Sequence, residues 1–136
     1  MNSNEEWIYS TLNNVSRSFS FVIKELPAEI KDCIAIFYLI LRALDTIKDD
    51  MEISIDYKIE SLKNFASHLK TKTVVLNYGK GFENKLMLEF DNVRDAFNKL
   101  PDAHRNIILE ITKNMGDGMI KYMNKHIESI NEYNDY

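Results

Sequence analysis

The sequence has little of what stabilises a small secreted or zinc-binding domain. Cys33 is the only cysteine among 136 residues, so no disulfide can form within the chain. The three histidines lie far apart in sequence, and the Cys/His spacing of a zinc site is missing. A reducing compartment is therefore the simplest context for this chain.

Long apolar runs and an excess of basic residues are also missing. The longest apolar run is nine residues, 33–41, whereas a helix that crosses a bilayer needs roughly 20. The first residues, MNSNEEW, are polar and acidic, unlike those of a signal peptide. Lys and Arg total 17 against 21 Asp and Glu, which gives a net charge of −4. We therefore expect no nucleic-acid partner, because such binders carry a basic face.

Prolines and glycines are scarce, and the residues that are frequent instead favour helices. Pro27 and Pro101 each follow a leucine and precede an acid, as is typical of the first turn of a helix. We predict an all-α chain that forms a single domain over 1–136. The predicted elements are one or two short helices before Pro27, then helices over 27–50, 55–70, 82–99 and 101–133. Residues 71–81 are predicted to be a connection, although TVVLNY within them resembles a strand.

The predicted helix over 27–50 combines an apolar surface with one line of polar side chains. Apolar residues occupy nearly all of its faces, which is typical of a buried helix. Tyr38, Arg42, Asp45 and Asp49 follow one another at spacings of four, three and four, so they lie within about 60° on a helical wheel. We call these four residues the polar seam. It ends in two carboxylates one turn apart.

Two interpretations of the polar seam are open. It could be an internal ion-pair seam, with Arg42 paired to Asp45 and with Asp49 in water. It could instead be a magnesium site, because Mg²⁺ is usually held by one or two carboxylates together with substrate phosphates. Arg42 would then hold phosphate oxygens by paired hydrogen bonds. Tyr38 would lie deeper, where its hydroxyl could meet the reacting carbons.

A second polar cluster precedes the long helix. The segment SRSF places Arg17 between the hydroxyls of Ser16 and Ser18, with Phe19 after them. A site that holds a diphosphate would use such groups. The pattern is also common on protein surfaces, so it is a weak signal alone.

The last predicted helix carries an apolar stripe. Met115, Met119 and Met123 recur every four residues, and Ile107 and Ile111 continue the stripe. Core packing is one interpretation and a surface that lines a lipid cavity is the other. Gly116 and Gly118 would allow a chain or a helix to approach closely.

Taken in order, four segments resemble the N-terminal part of the squalene synthases, and the related phytoene synthases share the general pattern. The segments are VSRSFSFVIKELPAEIKDCIAIFYLILRALDTIKDD (15–50), MEISIDYKIESLKNF (51–65), NMGDGM (114–119) and NEYNDY (131–136). The resemblance implies an incomplete helical bundle of the isoprenoid synthase type. It also implies the head-to-head condensation of two farnesyl diphosphates through presqualene diphosphate to squalene, with Mg²⁺ and NADPH as cofactors.

The resemblance also implies roles for particular residues. Asp45 and Asp49 would be magnesium ligands. Tyr38 would be catalytic and would line the reaction cavity. The remaining residues implied to bind substrate are Ser16, Arg17, Ser18, Phe19 and Arg42.

One residue departs from the family's first aspartate-rich motif, D-x-x-E-D. Lys48 stands where the glutamate is expected. A lysine ammonium cannot ligate Mg²⁺. Lys48 could point aside and leave Asp45 and Asp49 working, could meet the diphosphate directly, or could weaken or abolish the site. We expect a reduced magnesium affinity.

The chain is also far shorter than members of that family. The family's catalytic tyrosine, second aspartate-rich motif, NADPH-binding region and C-terminal anchor in the endoplasmic reticulum membrane, facing the cytosol, would follow residue 136. We therefore expect that this chain alone does not make squalene, and that it exposes an apolar face. Two alternatives stay open. One is another head-to-head prenyl synthase such as a phytoene synthase, and the other is a degenerate helical protein that binds prenyl diphosphates or a partner protein without catalysis.

Overall fold

Helices make up almost all of the protein in the computed structural model, which describes residues 3–70 and 76–134 and the side chains of 4–70 and 76–125. Within these residues there are seven helices and no strand. They are α1 (Ser3–Val15), α2 (Arg17–Lys24), α3 (Ala28–Asp49), α4 (Ile55–Lys70), α5 (Gly81–Leu88), α6 (Asp91–Asn98) and α7 (Asp102–Asn134). The all-α prediction is confirmed. The strand-like segment lies partly outside the described residues, and its described part, 76–78, has no regular secondary structure.

The prediction of one helix over 82–99 is wrong, because the chain turns between α5 and α6. The backbone N–H of Glu89 donates to the carbonyl of Lys85 and that of Phe90 donates to the carbonyl of Met87, which closes α5. The turn buries Phe90, whose ring lies 5.4 Å from that of Phe65 on α4. Packing of Phe90 against α4 decides this break, and the helical periodicity of the sequence does not reveal it.

Helix α3 lies at the centre of the fold and contacts each of the other six helices described. Its inward face is buried and consists of Ala35, Ile36, Leu39, Ile40, Ala43, Leu44, Thr46 and Ile47. Its outward face, which includes Phe37, Tyr38 and Leu41, is only partly buried. We expected the helix to be buried on every face except the polar seam. That expectation is wrong for the outward half of α3.

Helix α7 packs mainly along α4. The backbone carbonyl of Leu62 lies so close to Gly116 that a Cβ there would be 3.0 Å from its oxygen. Met119 and Met123 are partly buried against the core, whereas Ile107 and Met115 are exposed. The stripe predicted on this helix thus contributes to the core only in its later part.

No helix in the described part of the chain is both long and apolar enough to cross a membrane.

Candidate functional site

The outward face of α3 ends in a cavity of about 550 Å³ between α3, the turn after it and the start of α5. Three residues of the predicted polar seam, Arg42, Asp45 and Asp49, line this cavity. Their spacing on one helix face explains why they meet there. The other charged residues of the wall are Asp50 and Glu52, from the turn after α3, and Lys80 and Glu83, from a segment distant in sequence.

Lys48 lies beside both carboxylates of the predicted metal site. Its Nζ is 3.8 Å from Oδ1 of Asp45 and 3.8 Å from Oδ1 of Asp49. Lys48 itself does not line the cavity. All three side chains retain solvent contact, with exposed fractions of 38% for Lys48, 49% for Asp45 and 71% for Asp49.

Arg42 pairs with a residue that the sequence did not single out. Its Nη2 donates to Oε1 of Glu83 on α5 across 2.9 Å. This hydrogen bond raises the pKa of Arg42, and desolvation opposes the shift. The alternative in which Arg42 pairs with Asp45 is therefore wrong. The Arg42–Glu83 pair instead ties α3 to α5.

Asp50 organises the other wall of the cavity. Its carboxylate accepts hydrogen bonds of 2.9 Å from the backbone N–H of Gly79 and of 2.9 Å from that of Glu52. These two bonds, Gly79 first, lower the pKa of Asp50. Gly79 has φ +77°, and a Cβ there would lie 2.6 Å from Cγ2 of Thr46. The loop can therefore approach α3 closely only because residue 79 is glycine.

An aromatic pair lies upstream on the outward face of α3. The rings of Phe19 and Tyr38 are stacked, with centroids 4.2 Å apart and planes inclined by 23°. Ser16 caps α2, because its hydroxyl accepts a hydrogen bond from the backbone N–H of Phe19. Arg17 and Ser18 are exposed on α2. The structure thus joins Phe19 to Tyr38 and leaves Arg17 and Ser18 facing solvent.

The residues present would suit a divalent cation whose coordination is completed by a substrate. Asp45 and Asp49 offer carboxylate oxygens, which Mg²⁺ prefers. In the described part of the chain, no group of three or more His, Cys, Asp or Glu side chains is placed to hold a metal ion. Two carboxylates and phosphate oxygens together would form such a site, provided that Lys48 moves.

Comparison with known proteins identifies the family. The squalene/phytoene synthase family model matches residues 12–136. The chain belongs to this family. It is 42% identical over 135 residues to the squalene synthase of Dictyostelium discoideum, and this match covers 98% of the chain and 32% of the relative. It is 41% identical over 128 residues to squalene synthase 1 of Panax ginseng, with 94% and 31% covered.

Solved structures of the family share the fold. The complex of TcSQS with the ligand E5700 matches with a TM-score of 0.85 and 38% identity, over 88% of this chain and 35% of that one. The helices described here therefore form part of a helical isoprenoid synthase fold. The chain spans about a third of the length of the curated relatives it matches.

One relative shows that family membership leaves activity open. The inactive squalene synthase 2 of Arabidopsis thaliana is 40% identical over 128 residues, a level close to that of the other relatives. Activity must therefore be argued from the site.

Sequence reasoning missed several residues of the site. Among them, Asp50, Gly79 and Glu83 line the cavity together with Arg42, Asp45 and Asp49. Asp50 was visible as part of the acidic run after Asp45, but its partner Gly79 is 29 positions away. No local pattern connects positions so distant, so only the fold shows the pairing.

Proposed function

We propose that this protein is the N-terminal part of a squalene synthase, which condenses two farnesyl diphosphates head to head through presqualene diphosphate to squalene in isoprenoid and sterol biosynthesis. The observation that supports this most is the arrangement along α3. Asp45, Asp49 and Arg42 line one cavity, and the Phe19–Tyr38 stack lies upstream on the same face. A substrate with a charged head and an apolar tail requires both parts.

The proposed chemistry assigns each group a role. Ionisation of an allylic diphosphate produces a carbocation and a leaving group rich in negative charge. Mg²⁺ bound by Asp45 and Asp49 would supply positive charge to that leaving group. Arg42 binds the diphosphate oxygens, and the aromatic rings of Phe19 and Tyr38 exclude water that would quench the cation.

Further assignments belong to the same proposal. Tyr38 presents its hydroxyl to the reacting carbons, and Ser16, Arg17 and Ser18 contact the diphosphate from α2. NADPH supplies the hydride, and we assign it no residue of this chain. Residues 1–136 form a portion of one isoprenoid synthase domain. The whole protein resides at the endoplasmic reticulum membrane, on its cytosolic face, through a C-terminal anchor.

A second candidate function is non-catalytic binding of a prenyl diphosphate. It is favoured by the ion pairs of Lys48 with Asp45 and Asp49, which engage the carboxylates that catalysis needs. The similarity to an inactive squalene synthase is consistent with it. Binding without turnover distinguishes this candidate from the first.

The test measures binding of the non-hydrolysable analogue farnesyl thiodiphosphate by calorimetry, with and without Mg²⁺. We expect Mg²⁺-dependent binding that falls at least about tenfold when Asp45→Asn and Asp49→Asn are combined. Asp95→Asn, which removes an exposed carboxylate on α6, is the matched control and should bind as the parent does. Absence of Mg²⁺-dependent binding in the parent would overturn the proposed site.

Turnover is measured separately, with farnesyl diphosphate, Mg²⁺ and NADPH. We expect the 136-residue chain to bind the analogue without forming squalene. Squalene formation would show that this chain alone is sufficient for catalysis and would exclude the non-catalytic candidate.

A further inference from the structure

The ammonium of Lys48 lies where it balances part of the charge of the candidate metal site. It is 3.8 Å from a carboxylate oxygen of Asp45 and 3.8 Å from one of Asp49. With one positive and two negative groups, the set carries a net charge of −1 instead of −2. Arg42 and Glu83 form an ion pair whose opposite charges cancel, so they do not alter this sum.

The end of α3 is tied to α4 through the backbone of Lys48. Nζ of Lys58 on α4 donates to the backbone carbonyl of Lys48 across 3.1 Å. Lys58 is buried, with an exposed fraction of 5%, and the bond itself is partly buried. The last turn of α3, which carries Lys48 and Asp49, is thereby held against fraying.

We propose that Lys48 is a tethered cation, which holds Asp45 and Asp49 before substrate binds and moves to the diphosphate when substrate and a divalent cation enter together. The proposal rests on the proposed function of this site. It predicts weak binding of the free metal ion and strong cooperativity between metal ion and diphosphate.

The chemistry of the ammonium group explains this behaviour. Lysine has three donors and no acceptor, so it repels a metal ion and cannot ligate one. Its stem of four carbons is flexible, which allows Nζ to leave the aspartates for a nearby phosphate oxygen. A diphosphate that binds therefore draws Lys48 away from the aspartates and at the same time supplies oxygen ligands for the metal ion. A free metal ion has to displace Lys48 into water without that compensation.

The experiment measures binding of Mn²⁺, as a spectroscopic substitute for Mg²⁺, by electron paramagnetic resonance, with and without inorganic diphosphate. Lys48→Gln removes the charge and Lys48→Arg retains it. We expect Lys48→Gln to bind free Mn²⁺ roughly five- to tenfold more tightly than the parent. The cooperativity with diphosphate should fall by a similar factor, because coupling between two ligands is reciprocal.

Controls separate the charge of Lys48 from unrelated effects. Lys63→Gln removes an exposed lysine on α4 and should leave Mn²⁺ binding unchanged. Lys48→Arg should bind Mn²⁺ nearly as the parent does. Lys48→Met removes the charge while keeping an apolar stem, so the test can still be made if the glutamine variant does not fold.

The outcomes distinguish this inference from the proposed function. If Asp45→Asn weakens Mn²⁺ binding but both neutral variants at position 48 bind it as the parent does, the tethered-cation proposal is overturned and the site stands. If neither Asp45→Asn nor Asp49→Asn alters Mn²⁺ binding, the metal site itself is wrong, and the proposed function loses its main support.

Discussion

Asp50 is the residue through which two distant parts of the cavity wall are joined. It follows α3 directly and accepts hydrogen bonds from Gly79 and Glu52 with its two carboxylate oxygens. Both bonds favour the ionised form of the carboxyl group. The position of the loop before α5 therefore depends on the charge of one side chain that is open to water.

This arrangement predicts how stability depends on pH. The folded-state pKa of Asp50 is lowered, so its contribution is complete above the usual aspartate pKa of about 3.9 and is lost as pH falls through the folded-state value. Asp50→Asn should lower the free energy of unfolding at neutral pH by about 1 kcal/mol. The free energy of unfolding of Asp50→Asn should also decrease less steeply than that of the parent as the pH falls. Urea unfolding between pH 7 and 2 measures both.

Asp95→Asn serves as the control for that series, because this exposed carboxylate lies away from the loop. Identical acid profiles for the parent and Asp50→Asn would show that the carboxylate contributes nothing through its charge.

The pair of Arg42 and Glu83 leads to a prediction about binding. Glu83 occupies a donor of Arg42 and adds a negative charge to the cavity wall. Glu83→Gln should therefore bind inorganic diphosphate a few-fold more tightly, by about two- to fivefold. The free energy of unfolding should fall by less than about 1 kcal/mol, because both partners are roughly one-third exposed.

Calorimetry gives the affinity, and Glu110→Gln on α7 controls for net charge. A weaker affinity in Glu83→Gln would contradict this reasoning, since it would show that Glu83 orients Arg42 toward the ligand.

The contact between α4 and α7 explains one of the two glycines in the segment NMGDGM. A Cβ at Gly116 would meet the carbonyl oxygen of Leu62 at 3.0 Å, whereas nothing lies within 4 Å of one at Gly118. The expected close approach is therefore confirmed at Gly116. At Gly118 no described residue comes close to the position that a Cβ would occupy.

The two positions should respond differently to alanine. Gly118→Ala should stabilise the protein by about 0.5–1 kcal/mol, because alanine is the better helix former. Gly116→Ala has the same gain in propensity but pushes α4 and α7 apart, so its stability should be lower than that of Gly118→Ala by about 1–2 kcal/mol. Urea unfolding of both variants measures the difference. Equal stabilisation would mean that α4 moves aside at no cost.

The whole molecule exposes apolar surface along α2 and α3. Phe19 stacks on Tyr38, Val22 lies one turn beyond Phe19, and Leu41 lies one turn beyond Tyr38. We call these four residues the α2–α3 surface. Val22 is 53% exposed, and the other three are partly buried. Exposed apolar side chains on two helices that pack together favour association.

We therefore expect the 136-residue chain to self-associate in a concentration-dependent manner. Val22→Lys places a charge on the α2–α3 surface and should weaken association several-fold, by roughly five- to tenfold. Ile107→Lys, a matched change at an equally exposed position on α7, should have a smaller effect. Light scattering coupled to gel filtration gives the measurement. A parent chain that stays monomeric at all concentrations would refute the expectation.

Local chemistry was sufficient to predict most of the helices and part of the site. Pro27 precedes α3, α4 spans the predicted residues, and the spacing of Arg42, Asp45 and Asp49 places all three on one cavity wall. These features depend on backbone propensity and on the helical repeat, which act over a few residues. Lys48 stood out only through the resemblance to the family's D-x-x-E-D motif, because local chemistry gives no reason to expect a glutamate there.

Tertiary packing decided the remaining features. It divided the expected helix over 82–99, because burial of Phe90 outweighs continued helical hydrogen bonding. It brought Glu83 to Arg42 and Gly79 to Asp50, across 41 and 29 positions. Such partners are chosen by the way helices pack, and one amino-acid sequence contains no local signal for them. The amino-acid order thus specified which charges lie on α3, and the packing of α5 and its preceding loop specified which of them are paired.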